Sequence, residues 1–224
     1  MDTMNAHNVI TKPNVVKAPQ PMNKIGIYSG TFDPIHFGHI SFAEHASTVA
    51  NLDRVYLLAE PTPRRKQGVK ALEHRVNMID IAIKNNPKLG QIILKQQQFT
   101  IEKTLPVLKE RFKNSDIYML MGDDFMKHLP EWPNISSLPM QVTLVVAKIS
   151  MTQKELDQQF SILKSTKGLS FNVVYVDIPQ KKYASSVIRN AIKKGQHTPQ
   201  LSSEVLEYIK LHNLYSSSSS SSGS

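Results

Sequence analysis

Apolar residues along this chain fall into two recurring patterns. Short runs such as KIGIYS (24–29), RVYLLA (54–59), GQIILKQ (90–96), DIYMLMG (116–122), QVTLVVAK (141–148) and FNVVYVDI (171–178) are rich in Ile, Val, Leu and Met. They predict strands buried on both faces. Between them, apolar residues return every three or four positions. Phe42, Ala43, Ala46, Val49 and Ala50 do so within HISFAEHASTVA, and Leu72, Val76, Ile79 and Ile83 within ALEHRVNMIDIAIK. Ile101, Leu105, Leu108 and Phe112 repeat the spacing, with Pro106 restricting where that helix's first turn can sit. Thr152 with Glu155 predicts a capping box for a further helix. A short helix is expected over 186–194, with Ser185 as its N-cap and Gly195 as its stop. A last helix, from about 203 to 211, carries Val205, Leu206 and Ile209.

Strands alternating with amphipathic helices predict an α/β fold, with a Rossmann-like, doubly wound, mostly parallel sheet covered by helices on both faces. Ligands of such sheets bind beyond the carboxyl ends of the strands, where strand order reverses. Loops directly after strands therefore matter most. Residues 1–23 mix Asn, Pro and isolated apolar residues without a period, and a flexible extension is expected there. The folded domain is expected over 24–215, followed by a Ser-rich, disordered tail over 216–224.

Composition narrows the choice of chemistry. A chain of 224 residues, 40% of them hydrophobic, has enough material for one domain with a real core. The absence of cysteine excludes a disulfide framework, a thiol nucleophile and thiolate metal sites. No apolar run is long enough for a membrane span, and the first residues lack a secretory apolar block, so a cytoplasmic protein without a membrane partner is expected. The net charge of +9 raises nucleic acid as a partner. Lysines are scattered, however, and a small anionic ligand accounts equally well for the one dense block, Arg64-Arg65-Lys66. Nothing in the sequence decides whether the chain forms a homo-oligomer.

The most informative loop is SGTFDPIHFGH, which follows the first strand. Gly30 permits a sharp turn and close approach to a ligand. Pro34 fixes the loop after Asp33, and Gly38 removes a side chain beside His39 at the start of the next helix. A helix N-terminus favours an anion, and His36 and His39 could point donors at phosphate oxygens. Two capping histidines in an ordinary turn are the alternative. Zinc is disfavoured because two histidines without nearby acidic or thiol partners leave its coordination incomplete, so no protein-held metal is expected.

GTFDPIHFGH resembles the signature of the H-x-G-H nucleotidyltransferase superfamily, and its full wording is most similar to the bacterial nicotinate mononucleotide adenylyltransferases. The class I aminoacyl-tRNA synthetases share a related element but are much larger and add a K-M-S-K-S-type loop that is absent here. YASSVIR (183–189) resembles the same family's I-S-S-T-x-I-R segment, with Ala184 in place of a serine and Ser186 in place of the threonine. LMGDDFMKHLPEW resembles its G-x-D stretch running to a Trp, and EVLEYIKLHNLY its closing helix. Two elements depart from the pattern. The family's P-P-H-K-type loop reads PTPRRK here, and its P-S-Y-T element is reduced to QQFT, with Phe99 in place of Tyr.

The resemblance implies transfer of AMP from ATP to nicotinate mononucleotide, giving deamido-NAD and pyrophosphate in NAD biosynthesis. Catalysis would rest on His36, His39 and Arg189. Gly30, Thr31, Phe32, Lys66, Gly122, Asp124, Ser185 and Ser186 would bind ATP, while Arg65, Thr100 and Trp132 would bind the acceptor. Mg²⁺ would be held mainly through the ATP phosphates. The departures leave open another acceptor on the same fold, such as nicotinamide mononucleotide, phosphopantetheine or a sugar or polyol phosphate. They also leave open a nucleotide-binding module without catalysis.

Overall fold

A computed structural model describes residues 23–64, 66–178 and 183–216. Arg65, most of the expected N-terminal extension and the Ser-rich tail beyond Ser216 lie outside the described residues. Six strands form one sheet: β1 (Asn23–Gly30), β2 (Arg54–Ala59), β3 (Leu89–Ile92), β4 (Ser115–Gly122), β5 (Thr143–Lys148) and β6 (Val173–Asp177). Their order is β3-β2-β1-β4-β5-β6, and every neighbouring pair is parallel. The chain winds outward in one direction from β1 to β3, then crosses back to β4 beside β1. The order therefore reverses between β1 and β4, and their carboxyl ends, Gly30 and Gly122, border the crevice where such sheets bind ligands.

Helices cover both faces. On one side α1 (Phe37–Val49), α2 (Leu72–Ile83), α5 (Ser185–Lys193) and α6 (Ser203–Leu211) bury Phe42, Ala46, Met78, Ile79, Ile188, Val205 and Ile209 against Leu57, Leu120 and Val145. On the other side α3 (Leu105–Arg111) and α4 (Gln153–Lys167) bury Leu105, Leu108, Leu156 and Leu163 against Ile27, Met119 and Val146. Consecutive residues of β4 serve opposite faces: Ile117, Met119 and Met121 join one core, Tyr118 and Leu120 the other. This two-sided burial explains the apolar runs without alternation. Among the described residues, no helix is long and apolar enough to cross a membrane.

Most predicted elements stand where the hydrophobic spacing put them, and the capping box of α4 is present. Two local expectations fail. Ile101 and Phe112 are not helical, because α3 begins only at Leu105 with Pro106 in its first turn. Ile101 is buried in the turn before α3, and Phe112 follows the helix. The N-cap of α5 is Ala184 rather than Ser185, which is the first helical residue. Ser185 Oγ donates instead to the Pro34 carbonyl, 3.1 Å away.

Beyond β4 the chain turns through three short 3₁₀ segments, 123–127, 129–131 and 135–137, rather than a helix. Asp123 fixes the first of them. Its buried carboxylate accepts N–H bonds from Ile149 (2.8 Å), Ser150 (2.6 Å) and Met151 (2.7 Å), and the Ser150 hydroxyl at 3.1 Å. It thereby ties the end of β4 to the end of β5, beside the crevice. Asp123→Ala removes the acceptor altogether and leaves these buried N–H groups unpaired. Chemical denaturation should show a loss of roughly 3 kcal/mol, whereas an unchanged midpoint would mean that this carboxylate does not organise the turn.

Candidate active site

The loops after Gly30 and Gly122 enclose two adjoining cavities. The first, of about 450 Å³, is lined by Thr31, Phe32, Asp33, His36, His39 and Lys66, and by Tyr183, Ala184, Ser185, Ser186 and Arg189 from the start of α5. The second, of about 320 Å³, runs from Gly30 and Phe32 past His39 and Lys66 to Phe99, Gly122, Asp124 and Trp132. Thr31, Phe32, His39 and Lys66 border both cavities, so the two meet at a shared wall. A third hollow of about 210 Å³ lies past Trp132 and holds Thr100, Arg64 and Phe99.

The shape of the first loop follows from its residues. Phe32 adopts a left-handed backbone (φ 50°) and folds its ring back over Gly30, where an added Cβ would lie 2.9 Å from that ring. Only glycine fits that position. The Phe32 ring meets Tyr28 and His39 edge-on, with centroids 5.2 and 5.0 Å apart. His36 occupies the N-cap position of α1, and its N–H donates to His39 Nδ1 at 3.3 Å. The two imidazoles stack at 3.7 Å between centroids. Because Nδ1 of His39 accepts, its proton sits on Nε2, and the cavity meets a donor there. His36 Nδ1 is buried and has no partner among the described residues. The His39 ring thus accepts the capping bond, and both rings line the cavity. One expected feature is reduced, since the first N–H of α1, from Phe37, is taken by the Gln200 carbonyl.

Electrostatics keep both rings neutral in the free protein. Burial lowers the pKa of His36 from 6.5 to about 4. His39 is held well below its ordinary value by burial, by the stacked His36 and by Lys66. An anion in the cavity would oppose each of these effects. Cations already face the space. Arg189 lines the first cavity, and Lys66 lines both.

The Asp33 carboxylate, almost fully buried, does not face the cavity freely. It accepts the Lys70 N–H at 3.3 Å and the Tyr215 hydroxyl at 2.5 Å, and lies 3.8 Å from Arg189 Nη1. Arg75, on α2, is fully buried beneath the same loop. Its guanidinium donates to the carbonyls of Thr31 (2.8 Å), Glu60 (2.9 Å), Pro61 (3.1 Å) and Lys70 (2.9 Å). Burial pulls its pKa down from the ordinary value, opposed by Asp33, Tyr215 and Glu60.

The sequence-derived site residues thus fall into groups. His36, His39, Thr31, Phe32, Lys66, Ser185, Ser186 and Arg189 converge on the first cavity. Gly30, Gly122 and Asp124 line the second, together with Trp132. Residues expected on the ATP side and on the acceptor side thus share the second cavity. Trp132 is half-buried, packed on the core by one side and open to the second and third cavities by the other. Thr100 lines the third hollow only, and its hydroxyl accepts the Lys103 N–H at 3.0 Å. Arg65 lies outside the described residues.

Its neighbour Arg64 donates to Gln98 Oε1 and the Phe99 carbonyl, at 2.9 and 3.1 Å, and lines both the second and third cavities. Asp33, Arg75, Tyr28 and Tyr215 were not singled out from the sequence. Asp33 lies inside the motif itself, but Arg75 and Tyr215 carry no local signal of their roles.

Comparison with known proteins is consistent with this geometry. The cytidylyltransferase-like family model matches residues 27–204. A Bacillus licheniformis protein named "Probable nicotinate-nucleotide adenylyltransferase" is 33% identical over 87% of this chain and 99% of its own. The nicotinate-nucleotide adenylyltransferase of Bacillus subtilis is 27% identical over 88% of this chain and all of its own length (100%). Among solved structures, the Plasmodium falciparum nicotinic acid mononucleotide adenylyltransferase complexed with NaAD superposes with a TM-score of 0.71. It is 20% identical and covers 86% of this chain and 97% of its own, which bears on the fold.

The lowered histidine pKa has a consequence for stability. The unfolded chain takes up a proton at His36 near pH 6.5, while the folded chain resists until about pH 4. Below 6.5 the unfolded state binds more protons, so stability falls as pH drops through this window, by about 3 kcal/mol from His36 alone. Urea denaturation from pH 7 to 4 should show a markedly shallower decline for His36→Asn than for the unaltered chain. Parallel declines would place His36 in contact with solvent.

Proposed function

This chain belongs to the cytidylyltransferase-like nucleotidyltransferases, among the nicotinate-nucleotide adenylyltransferases, and we propose that its two cavities perform that reaction on ATP and nicotinate mononucleotide. The observation that carries the reading is the shared wall. One cavity is framed by cations and a helix N-terminus, the other by aromatic rings and the carboxylates of Glu60 and Asp124, and His39 and Lys66 stand between them. A reaction joining two phosphate-bearing molecules needs that arrangement.

In this reading the triphosphate occupies the first cavity. His36 and His39 donate to its α- and β-phosphate oxygens, Ser186 and the first N–H groups of α5 hold the outer phosphates, and Arg189 grips the departing pyrophosphate. The acceptor mononucleotide occupies the second cavity, with its pyridine ring against Trp132. Asp124, expected from the sequence on the ATP side, offers its carboxylate to ribose hydroxyls there instead. Arg64 and Thr100 lie past the ring, where a pyridine carboxylate would point.

The acceptor phosphate is anionic at neutral pH and attacks the α-phosphorus directly, so no general base is required. The P–O bond to the β-phosphate breaks as the new one forms, and negative charge moves onto the leaving pyrophosphate. Lys66 and Arg189 neutralise it, and the two imidazoles stabilise it as hydrogen-bond donors.

Mg²⁺, carried by the ATP phosphates, would add further charge neutralisation. Among the described residues no three His, Cys, Asp or Glu side chains converge on one point.

A pyrophosphate-release assay with ATP and each candidate acceptor tests the reading. Nicotinate mononucleotide should be turned over in preference to nicotinamide mononucleotide, and phosphopantetheine or sugar phosphates should give no product. His39→Ala should lower kcat by roughly 10²–10³-fold, with a smaller change in the KM for ATP. Near-full turnover by that variant, or pyrophosphate release with none of these acceptors, would overturn the assignment.

A further inference from the structure

We propose that Tyr215 is a positioning residue for the phosphate site, locking Arg189 in place through the buried carboxylate of Asp33. The inference rests on the reading above, in which Arg189 grips the leaving pyrophosphate. Tyr215 lies beyond α6, far from the loop in sequence, and is buried. Its backbone takes a left-handed turn (φ 64°), which brings the ring beneath the first loop. Its hydroxyl donates to Asp33 Oδ1 at 2.5 Å, and Lys70 Nζ lies 5.6 Å from its ring centroid.

Asp33 then meets Arg189 twice. Nη1 of the arginine donates to the Asp33 carbonyl at 2.6 Å and lies 3.8 Å from Oδ2 of the carboxylate. One residue therefore holds the guanidinium by its main chain and by its side chain. The phenol orients that carboxylate through its other oxygen, by a shorter bond than the Lys70 N–H makes to the same atom.

Three properties distinguish this contact from ordinary core packing. The Asp33 side chain is 3% exposed, so little solvent competes for its lone pairs. The phenol stays protonated, because burial and the neighbouring carboxylate both raise its pKa. It therefore remains a donor. Finally, Arg189 is only partly covered, with a side-chain exposure of 37%, and faces the first cavity. A long side chain at such a rim loses conformational freedom when it binds an anion unless something has already fixed it. Asp33 does so, and Tyr215 orients Asp33. The closing L-Y of the chain's last helix-and-turn element thus bears on the chemistry as well as on the core.

The test is a double-mutant cycle read by pyrophosphate binding, which needs no acceptor. Isothermal titration with pyrophosphate is carried out on the unaltered chain, Tyr215→Phe, Arg189→Ala and the double variant. Tyr215→Phe keeps the ring and removes only the donor. It should weaken pyrophosphate binding roughly tenfold, the scale of one lost hydrogen bond to a charged group. In the Arg189→Ala background the same change should have almost no further effect.

Unaltered binding by Tyr215→Phe overturns the proposal. So does a weakening of equal size in both backgrounds, which would mark a merely structural role, and so does full-strength binding by Arg189→Ala. If Tyr215→Phe does not fold, Asp33→Asn breaks the same link from the other side and must show the same non-additive loss. Failure of the unaltered chain to release pyrophosphate from ATP and nicotinate mononucleotide counts against the assigned reaction instead, and leaves the outcome of the titration unaffected.

Discussion

The buried guanidinium of Arg75 is the constraint on which the site depends. A charge removed from water is costly unless its donors are matched, and here the acceptors are main-chain carbonyls from three separate segments. Thr31 follows β1, Glu60 and Pro61 follow β2, and Lys70 precedes α2. The loops that shape both cavities are thus gathered onto one planar group whose donor directions are fixed. Asp33 lies close enough to raise the arginine's pKa against the effect of burial. The positive charge beneath the loop and the negative charge within it therefore stabilise each other. The same Asp33 receives Tyr215 and Arg189, so the loop is held from α2, from α5 and from the turn after α6.

This scaffold accounts for the division of labour between the cavities. Because Thr31 is anchored from behind, Phe32 can take its left-handed backbone and place its ring between Tyr28 and His39. His39 is then oriented by the His36 N–H and presents its other nitrogen outward. On the far side Asp123 performs a comparable service, accepting three N–H groups beyond β5 and leaving Asp124 on the cavity wall. Of the two adjacent aspartates, one is structural and the other faces the ligand space. The catalytic power of such a site comes from donors placed before the substrate arrives.

Much of the fold was legible in the sequence because parallel strands buried on both faces leave unmistakable runs, such as RVYLLA, which matches β2 residue for residue. The cavity-lining loop after β1 was legible because GTFDPIHFGH combines glycine turns with two histidines at a helix start. Other features were not local enough to read. Arg75 stands in an amphipathic helix among charged and polar neighbours, and nothing within ALEHRVNMIDIAIK marks it as buried. Tyr215 could be read only as part of a closing structural signature, since its partner is at the other end of the domain. The start of α3 was misplaced because Ile101 continued the helical spacing, while Pro106 in fact belongs to the first turn and pushes Ile101 out of the helix. Ser185 looked like a cap, but the hydroxyl reaches the Pro34 carbonyl instead. For Arg75, Tyr215 and Ser185 long-range partners override local preference, whereas at α3 the local proline decides.

The central claim is that the acceptor phosphate attacks the α-phosphorus directly across the wall shared by the two cavities, with no protein nucleophile between them. The most direct measurement is the stereochemical course at that phosphorus. ATP carrying sulfur at one defined α-position is turned over with nicotinate mononucleotide, and the configuration of the dinucleotide is determined by phosphorus NMR. A single in-line displacement predicts inversion. Retention would require two successive displacements through a covalent enzyme intermediate, and would contradict the account.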